Sequence, residues 1–401
     1  MVLDREGAEV DWIVGYGPPP EKFQDKLAKV LAGEGTFKSL NAAYTQNPKD
    51  VATIFNLALK WASRYDTSKT DPLYKEVIAL DPEGKNGTYT QEYYNITVPY
   101  TEYAEYAIAT GSTSGQKPDL APARAFMAKY PKSPMMKQMY DRMSYYYSYQ
   151  APQEEADKFF EEYAGKFPED PAIPERWLAR IVRDKGPFDK GVELAEKIQK
   201  MRRGQSLPDS YQNVAELYFL KGDKAKAEDV YGKGFIDNQV VVLAFNLIYY
   251  ANYWIGKDTN KDSAMAAAEK ALALAPDNSY ITQQAAAVYV KMNKEDKALA
   301  LYGPALVQKN INDAEALNSY AWFWAGQGKN LQSALVAAKK AVELKPKQYY
   351  IWDTLAVVHA KLKNWPEAIK TMEKAVELAP DRAKESYKKN LEKIKADAAK
   401  K

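Results

Sequence analysis

The chain has 401 residues, of which 46% are hydrophobic and 27% charged, so it is too apolar for a disordered protein and longer than one hydrophobic core usually supports. Its 56 basic and 53 acidic side chains are interspersed and leave a net charge of +3, a weak field that disfavours nucleic acid as a partner. The lack of cysteine excludes disulfides and thiolate chemistry, and the lack of an apolar run near ~18 residues predicts no membrane span.

The first predicted elements are two short strands and a helix. Residues 2–4 and 10–16 alternate apolar and polar side chains around a turn that Gly7 permits, which predicts a β-hairpin. The prolines that follow suit the first turn of a helix, which we expect to run from about residue 18 to residue 33. The apolar face of that helix is predicted to contain Phe23, Leu27, Val30 and Leu31.

A hairpin followed by a helix resembles the C-terminal ββα half of a thioredoxin-like domain, and the resemblance covers about residues 1–33. The strand, helix and paired cysteines that carry that family's chemistry are absent, so no residue here inherits a catalytic role. Two explanations stay open: the chain is the downstream part of a longer thioredoxin-like repeat protein, or the segment caps the N-terminus. We favour the first, because Val2 begins abruptly inside a strand-like run.

The beginning of the sequence also bears on localisation. Asp4, Arg5 and Glu6 stand where a signal peptide would need an apolar core. The sequence therefore predicts a soluble chain, either cytoplasmic or, if an upstream signal was removed, periplasmic or secreted.

A helix pair follows, and then an insert. Apolar residues at helical spacing between residues 54 and 82 predict two antiparallel helices, with Thr70 at the place where they approach each other. Residues 83–100 then separate this pair from the next, and they combine turn-forming glycine and asparagine with β-branched and aromatic residues. This insert is either a loop packed on the helices or a helix extension, and it serves either as a simple connection or as a binding insert.

One small residue recurs at the same place in every predicted second helix from about residue 36 to residue 380. From Ala121 onward the intervals are 34 to 37 residues, too regular for chance. A small residue allows two antiparallel helices to approach closely, while large residues at helical spacing fill the gaps against the next pair. The small positions are Thr70, Ala121, Ala156, Gly191, Ala227, Ala264, Ala298, Ala334 and Ala368.

The clearest unit covers residues 352–380 and resembles the tetratricopeptide repeat (TPR), a helix-turn-helix of ~34 residues. Its signature residues are Trp352, Leu355, Ala356, His359, Ala368, Met372, Ala375 and Pro380. The resemblance implies an all-α fold, a right-handed α-solenoid of about eight to nine helix hairpins preceded by a short β-hairpin and helix. We therefore expect a ββα segment at 1–33, the solenoid at 34–380 with its insert, and a capping helix at 381–401.

The capping helix is predicted from its own apolar stripe. Tyr387, Leu391 and Ile394 recur at helical spacing among lysines, which suits a final helix that covers the last repeat and presents a polar outer side. We interpret the lysines as a solvated face.

We find no catalytic or cofactor motif. The single histidine, His359, falls on an apolar helix face between Leu355 and Leu362, so it is predicted to be a packed residue, which disfavours a hydrolase. Neighbouring carboxylates such as Glu154 and Glu155 point in different directions on a helix and do not form an acid/base pair. We therefore predict no enzyme activity, no metal site and no cofactor.

The resemblance to TPR proteins implies a ligand surface on the first helix of each repeat. The sequence lacks the lysine and asparagine set by which some members bind a peptide C-terminus, so an extended or helical peptide is the expected ligand. For Phe323 and Tyr280, packing between helices stays open as an alternative. The candidate residues are Gln212, Glu216, Phe219, Tyr280, Gln283, Ser319, Phe323, Tyr350 and Asp353, with Ala287, Val290 and Val357 in the same register.

Two functional hypotheses follow. The first is a non-enzymatic scaffold that binds a protein or peptide segment on this surface. The alternative is the non-catalytic remainder of a thioredoxin-like TPR thiol-disulfide oxidoreductase whose CxxC half lies outside this chain. The 30 tyrosines, clustered for example at residues 145–149 and 249–253, serve packing in most repeats, and their surplus indicates a surface for protein or glycan contact.

Overall fold

The computed structural model describes residues 1–13, 20–115, 117–202, 208–232, 236 and 243–400. The chain is mainly helical, and the described residues form consecutive antiparallel helix pairs with two small two-stranded sheets and no closed sheet. This confirms the predicted class, a TPR-like solenoid of helix hairpins. The chain divides into two compact units, unit 1 (Met1–Arg183) and unit 2 (Asp184–Lys401). The predicted domain boundaries stay a prediction.

Unit 1 contains two β-hairpins and the first helix pairs. The strands are β1 (Val2–Leu3), β2 (Glu9–Asp11), β3 (Thr88–Gln91) and β4 (Ile96–Pro99). The helices are α1 (Pro20–Leu31), α2 (Phe37–Gln46), α3 (Val51–Ala62), α4 (Thr67–Leu80), α5 (Tyr100–Ser112), α6 (Ala121–Lys129), α7 (Met136–Tyr149), α8 (Gln153–Lys166) and α9 (Ala172–Asp184).

The N-terminal hairpin and helix form in part as predicted. Strand β1 pairs antiparallel with β2, but β2 ends at Asp11, and the predicted strand residues 14–16 lie outside the described residues. In α1, Val30 is buried, whereas Leu31 is 73% exposed, so the prediction that Leu31 shares the apolar face is wrong. Leu31 follows Val30 by about 100° around the helix, which carries its side chain away from that face.

Ion pairs hold the hairpin on the first helix pairs. The Asp11 carboxylate is buried and pairs with Lys60 of α3, while Glu9 pairs with Arg64 just after that helix. The Arg64 guanidinium also lies 4.2 Å from the ring centroid of Phe37 in α2. These contacts give the hairpin a packing role, and the thioredoxin-like resemblance of residues 1–33 stays a hypothesis.

The insert at residues 83–100 is a β-hairpin rather than a loop or a helix extension. Strands β3 and β4 pair antiparallel from Thr88 opposite Pro99 to Gln91 opposite Ile96. Gly87 has a φ of +139°, and a Cβ there would lie 2.4 Å from the Tyr100 ring, so only glycine lets this ring close over the hairpin. Tyr100 then stacks on Phe55, with ring centroids 4.3 Å apart, which joins the hairpin to the core of unit 1.

Unit 2 continues the helix pairs. Its helices are α10 (Phe188–Met201), α11 (Pro208–Leu220), α12 (Lys224–Tyr231), α13 (Ala244–Gly256), α14 (Lys261–Leu274), α15 (Ser279–Lys291), α16 (Glu295–Tyr302), α17 (Ala305–Lys309), α18 (Ala314–Gln327), α19 (Leu331–Leu344), α20 (Tyr349–Lys361), α21 (Trp365–Leu378) and α22 (Asp381–Ala399). The predicted small residues at the hairpin contacts are fully buried, namely Ala227, Ala264, Ala298, Ala334 and Ala368.

Two second helices of unit 2 end early, each at a tyrosine followed by glycine. Helix α16 ends at Tyr302, and the extended Gly303 and the following Pro304 turn the chain into the short helix α17. The freed Tyr302 carbonyl accepts a hydrogen bond of 2.8 Å from the indole Nε1 of Trp324 in α18. The same contact is made two helix pairs earlier in the chain, where the indole of Trp254 donates to the carbonyl of Tyr231, the last residue of α12.

The last repeat carries the predicted cap. Leu391 and Ile394 of α22 are buried against the core formed by α20 and α21, and Tyr387 packs beside them. His359 is 4% exposed inside α20, as predicted, and burial lowers its pKa, which favours the neutral imidazole.

Candidate functional site

The predicted ligand residues lie on the first helices of the repeats in unit 2, α11, α15, α18 and α20. First helices that follow one another in the chain are in contact: α11 with α13, α13 with α15, α15 with α18, and α18 with α20. Phe323 is only 7% exposed and packs against Tyr302 and Trp324, so its role is interhelical packing. Val290 is also buried, the other candidates reach solvent at least in part, and Ser319 and Tyr280 are exposed.

Glu216 and Phe219 of α11 are engaged by α13. The Glu216 carboxylate lies 2.6 Å from the Lys257 ammonium and accepts a hydrogen bond of 3.1 Å from the Tyr253 hydroxyl. Burial, and after it the Glu216 charge, raises the pKa of Tyr253. The Lys257 ammonium also lies 4.7 Å from the centroid of the Phe219 ring, a cation–π contact. These predicted residues therefore join two first helices.

An exposed aromatic patch lies on α13 and α15. The rings of Phe245 and Tyr280 stack with centroids 5.9 Å apart, and burial together with the nearby Tyr249 raises the pKa of Tyr280. Their exposed fractions are 43%, 39% and 44%, respectively. We refer to these three residues as the aromatic patch.

The two α13 members of the aromatic patch were not among the predicted residues. Extra turn residues at 257–261 obscure the register of this helix in the sequence. The sequence does contain a signal for Tyr249. When "FNLIYYANYW" is aligned with "EALNSYAWFW", which begins two helix pairs later, Tyr249 falls at the position of Ser319.

A cleft of about 750 Å³ lies between α15 and α18, next to Tyr280 of the aromatic patch. It opens where the second helix of this repeat is interrupted at Gly303, and Leu301, Leu306 and Leu317 contribute its apolar lining. Three predicted residues meet there. They are Tyr280, Gln283 and Ser319.

Amide, hydroxyl and carboxylate groups line the same cleft. Burial raises the pKa of the Tyr302 hydroxyl to about 12, and the nearby Gln283 side chain offsets part of that rise. The Asp313 carboxylate caps the first turn of α18 by accepting from the backbone N–H groups of Glu315 and Ala316. Asp277 and Lys309 are exposed at its edges. Chemically, the cleft offers hydrogen-bond donors and acceptors beside apolar surface.

Tyr350 and Asp353 of α20 lie apart from the cleft lining. The Tyr350 hydroxyl donates to Glu315 at 2.6 Å, a bond that raises the pKa of Tyr350 to about 12, and Lys345 binds the same carboxylate at 2.8 Å. Asp353 faces the C-terminal helix: burial raises its pKa to about 6, and a hydrogen bond from Asn390 offsets part of that rise. One carboxylate oxygen of Asp353 is buried without a hydrogen-bond partner.

Neither a metal-binding cluster nor a membrane-spanning helix occurs in the described part of the chain. No group of three or more histidine, cysteine, aspartate or glutamate side chains there is arranged to hold a metal ion. No helix among those residues combines the length and the apolar character that crossing a membrane requires.

Residues 349–382 match the family model of the tetratricopeptide repeat. Among solved structures, YrrB, described as a TPR protein with an unusual peptide-binding site, is 22% identical, with 51% of this chain and 99% of that chain covered and a TM-score of 0.27. A tetratricopeptide repeat protein from Parabacteroides merdae is 14% identical, with 64% and 98% covered and a TM-score of 0.38.

MamA from Desulfovibrio magneticus is 19% identical, with 43% of this chain and 94% of that chain covered and a TM-score of 0.29. No curated protein matches the sequence. The chain is thus a helical repeat protein whose residues 349–382 match the tetratricopeptide repeat.

Proposed function

We propose that the chain is a protein-interaction scaffold that binds a peptide segment in the cleft between α15 and α18, next to the aromatic patch. The observation that carries this proposal is the meeting of Tyr280, Gln283 and Ser319 in one cleft of about 750 Å³. Interior contacts account for Phe323, so the proposal rests on the exposed residues.

The chemistry of the cleft suits an extended peptide. Amide and hydroxyl side chains can pair with the N–H and C=O groups of a peptide main chain, which gives affinity with little dependence on sequence. Large exposed rings add buried area at a small cost in side-chain entropy, and such residues carry much of the binding energy at interfaces. The aromatic patch would therefore select a large apolar side chain of the ligand.

A random-sequence peptide array tests the proposal. Spots bound by the parent protein are probed again with a variant carrying Tyr280→Ala and Gln283→Ala, and affinities for the selected peptides are measured by fluorescence polarisation. We expect the two substitutions together to weaken binding at least tenfold, a change of ~1.4 kcal/mol or more in binding free energy. The matched control is Val336→Ala on α19, a second-helix side chain that is 56% exposed.

Two results would reject this site. One is an array on which every selected peptide binds the double variant as tightly as the parent. The other is an equal loss of binding with Val336→Ala, which would indicate a change in folding rather than in the cleft.

The oxidoreductase alternative depends on the order of hairpin and helix at residues 2–31 alone. The ion pairs of Glu9 and Asp11 with Arg64 and Lys60 support the other explanation, an N-terminal cap on the first helix pairs. Gene sequence upstream of residue 1 would decide between them, because the alternative requires a CxxC motif there.

A further inference from the structure

The C-terminal helix α22 closes over a carboxylate of the last repeat. Its apolar stripe, Leu391 and Ile394, is buried against α20 and α21. One turn earlier, the ring of Tyr387 meets that of Tyr349 in α20 edge to face, with centroids 5.3 Å apart. Asp353 lies one turn after Tyr349. Burial, and after it the charge of Asp353, raises the pKa of Tyr387, so the carboxylate and the docked helix are close neighbours.

Docking of α22 leaves the Asp353 carboxylate without full compensation. One of its oxygens is buried and has no hydrogen-bond partner. None of the ion pairs among the described residues includes Asp353, and Lys395 of α22 lies near Glu373 of α21 instead, at 3.9 Å. The Asn390 side chain of α22 offsets only part of the cost of burial. A carboxylate that is removed from water without a partner is destabilised in its ionised form.

Other titratable groups around the last repeat act in the opposite direction. Acid protonates Glu373 and so weakens its attraction to Lys395, a pair that is about half exposed. Burial lowers the pKa of His359 in α20, so acid also disfavours the packed neutral imidazole. On α18, hydrogen bonds from two neighbouring side chains lower the pKa of Glu315, which stabilises the fold only while that carboxyl is ionised. Protonation of Asp353 therefore tightens packing that protonation of these groups weakens.

We propose that α22 is a pH-sensitive latch on the last repeat, docked more tightly when Asp353 is protonated and opening more often when Asp353 is ionised. The helix packs on α20 and α21, so it can leave the repeat while the earlier helix pairs stay intact. Its release uncovers Leu391 and Ile394 together with Met372 of α21.

The pH interval of the latch follows from the carboxyl group. Burial raises the pKa of Asp353 from 3.8 to about 6 in the docked state. Below pH 3.8 the carboxyl is protonated whether α22 is docked or released, so docking carries no penalty. The penalty grows as the pH rises to about 6 and is constant above it. The latch is therefore tighter in mild acid than at neutral pH.

Amide hydrogen–deuterium exchange of the full chain at pH 4.0 and pH 7.5 tests the proposal, with α22 read in peptides from residues 381–399. Dividing each exchange rate by the intrinsic rate at the same pH gives the equilibrium constant for opening. We expect this constant to be about fivefold larger at pH 7.5 for α22, less than full burial would give, because Asp353 is partly exposed. Peptides from α14 are the internal reference and should not open more at pH 7.5.

Two variants assign the effect to one side chain. Asp353→Asn keeps the shape of the side chain and cannot ionise, so at pH 7.5 α22 should open about fivefold less often than in the parent. Its opening constant should also show no rise between pH 4.0 and pH 7.5. The matched control Glu385→Gln removes an exposed carboxylate from α22 itself and should behave like the parent.

Three results would overturn the proposal. They are a parent protein in which the opening of α22 does not rise with pH, a rise that persists in Asp353→Asn, and an equal rise in the α14 peptides. The last result would describe a change of the whole chain rather than the release of one helix. Peptide binding to the cleft does not enter this experiment, so the latch and the proposed function fail separately.

Discussion

Two stretches of unit 2 have the same buried contacts and different exposed residues. We call residues 208–274, with α11 to α14, the first copy and residues 279–344, with α15 to α19, the second copy. In each, a tryptophan of the later hairpin donates to the carbonyl at the end of the interrupted helix, at 2.6 Å in the first copy and 2.8 Å in the second. In each, an asparagine at positive φ donates to a buried tyrosine hydroxyl.

The exposed positions differ between the copies. The first copy presents Phe245 and Tyr249 at the positions where the second copy has Glu315 and Ser319. In the first copy an ion pair of Glu216 joins the two first helices, whereas the second copy has Ala287 at that position. The comparison shows that buried hydrogen bonds define this double repeat as a packing unit. The residues available to a ligand vary independently of that packing.

The largest expected effect is at the glycines that end α12 and α16. A Cβ on Gly232 or Gly303 would lie 2.0 Å from the carbonyl oxygen four residues earlier, so the backbone must shift. We expect Gly232→Ala and Gly303→Ala each to lower the free energy of unfolding by about 3 kcal/mol, as measured by urea denaturation.

The matched glycine controls are Gly256→Ala and Gly326→Ala. An alanine Cβ at either position has no neighbour within 4 Å, so these helical substitutions should be neutral or stabilise by up to ~1 kcal/mol. If only one of Gly232 and Gly303 proves sensitive, the two copies are not equivalent packing units.

The next effect is at the tryptophan donors. Trp254→Phe and Trp324→Phe each remove an indole N–H and leave a buried carbonyl, on Tyr231 or Tyr302, without its donor. We expect a loss of about 2 kcal/mol in the free energy of unfolding for each. Trp322→Phe, at a position 52% exposed, should change stability by less than ~0.5 kcal/mol, and an equal loss there would contradict the assignment.

Asp353 lies in the repeat that follows the second copy, at the position that Gln283 occupies in that copy. The folded protein raises the pKa of this carboxyl from 3.8 to about 6, so folding favours its protonated form. Below pH 3.8 the carboxyl is protonated in both states and costs nothing, whereas the cost grows as the pH rises to about 6 and is constant above it. For a fully buried group the cost would reach ~3 kcal/mol, which we reduce to ~1 kcal/mol because Asp353 is partly exposed.

Asp353→Asn should therefore stabilise the protein by about 1 kcal/mol at pH 7.5 and have little effect at pH 4. The measurement is urea denaturation of parent and variant at both pH values, with the exposed Asp277→Asn as a control. An equal gain in the free energy of unfolding at both pH values would show that ionisation of Asp353 does not cause the stabilisation.

The smallest effect is at the link between first helices in the first copy. Glu216→Ala makes this position like Ala287 of the second copy and removes the ion pair with Lys257, whose groups are 21% and 24% exposed. We expect a loss below ~1 kcal/mol that shrinks in high salt. A double-mutant cycle with Lys257→Gln measures the pair, and a coupling energy that does not respond to salt would argue against it.

Part of the proposed ligand surface was predictable from the sequence. Gln283 and Ser319 follow from the register of the small residues, and the structure places both in one cleft. Phe323 follows from the same register but is buried, because the interrupted helix α16 places Tyr302 against it. The β3–β4 hairpin depends on the close approach of Tyr100 to Gly87. The spacing of these two residues does not follow a helical period, so the repeat pattern does not predict their contact.

The sequence by itself determined the repeating helix pairs, because small residues such as Ala264, Ala334 and Ala368 must be buried where two helices meet, and that requirement recurs at a fixed interval. It also determined the final helix through Leu391 and Ile394. Only the tertiary structure decided which exposed residues lie side by side. The arrangement of these exposed residues depends on where a helix is interrupted and on which distant donor hydrogen-bonds the freed carbonyl, as Trp324 does for Tyr302.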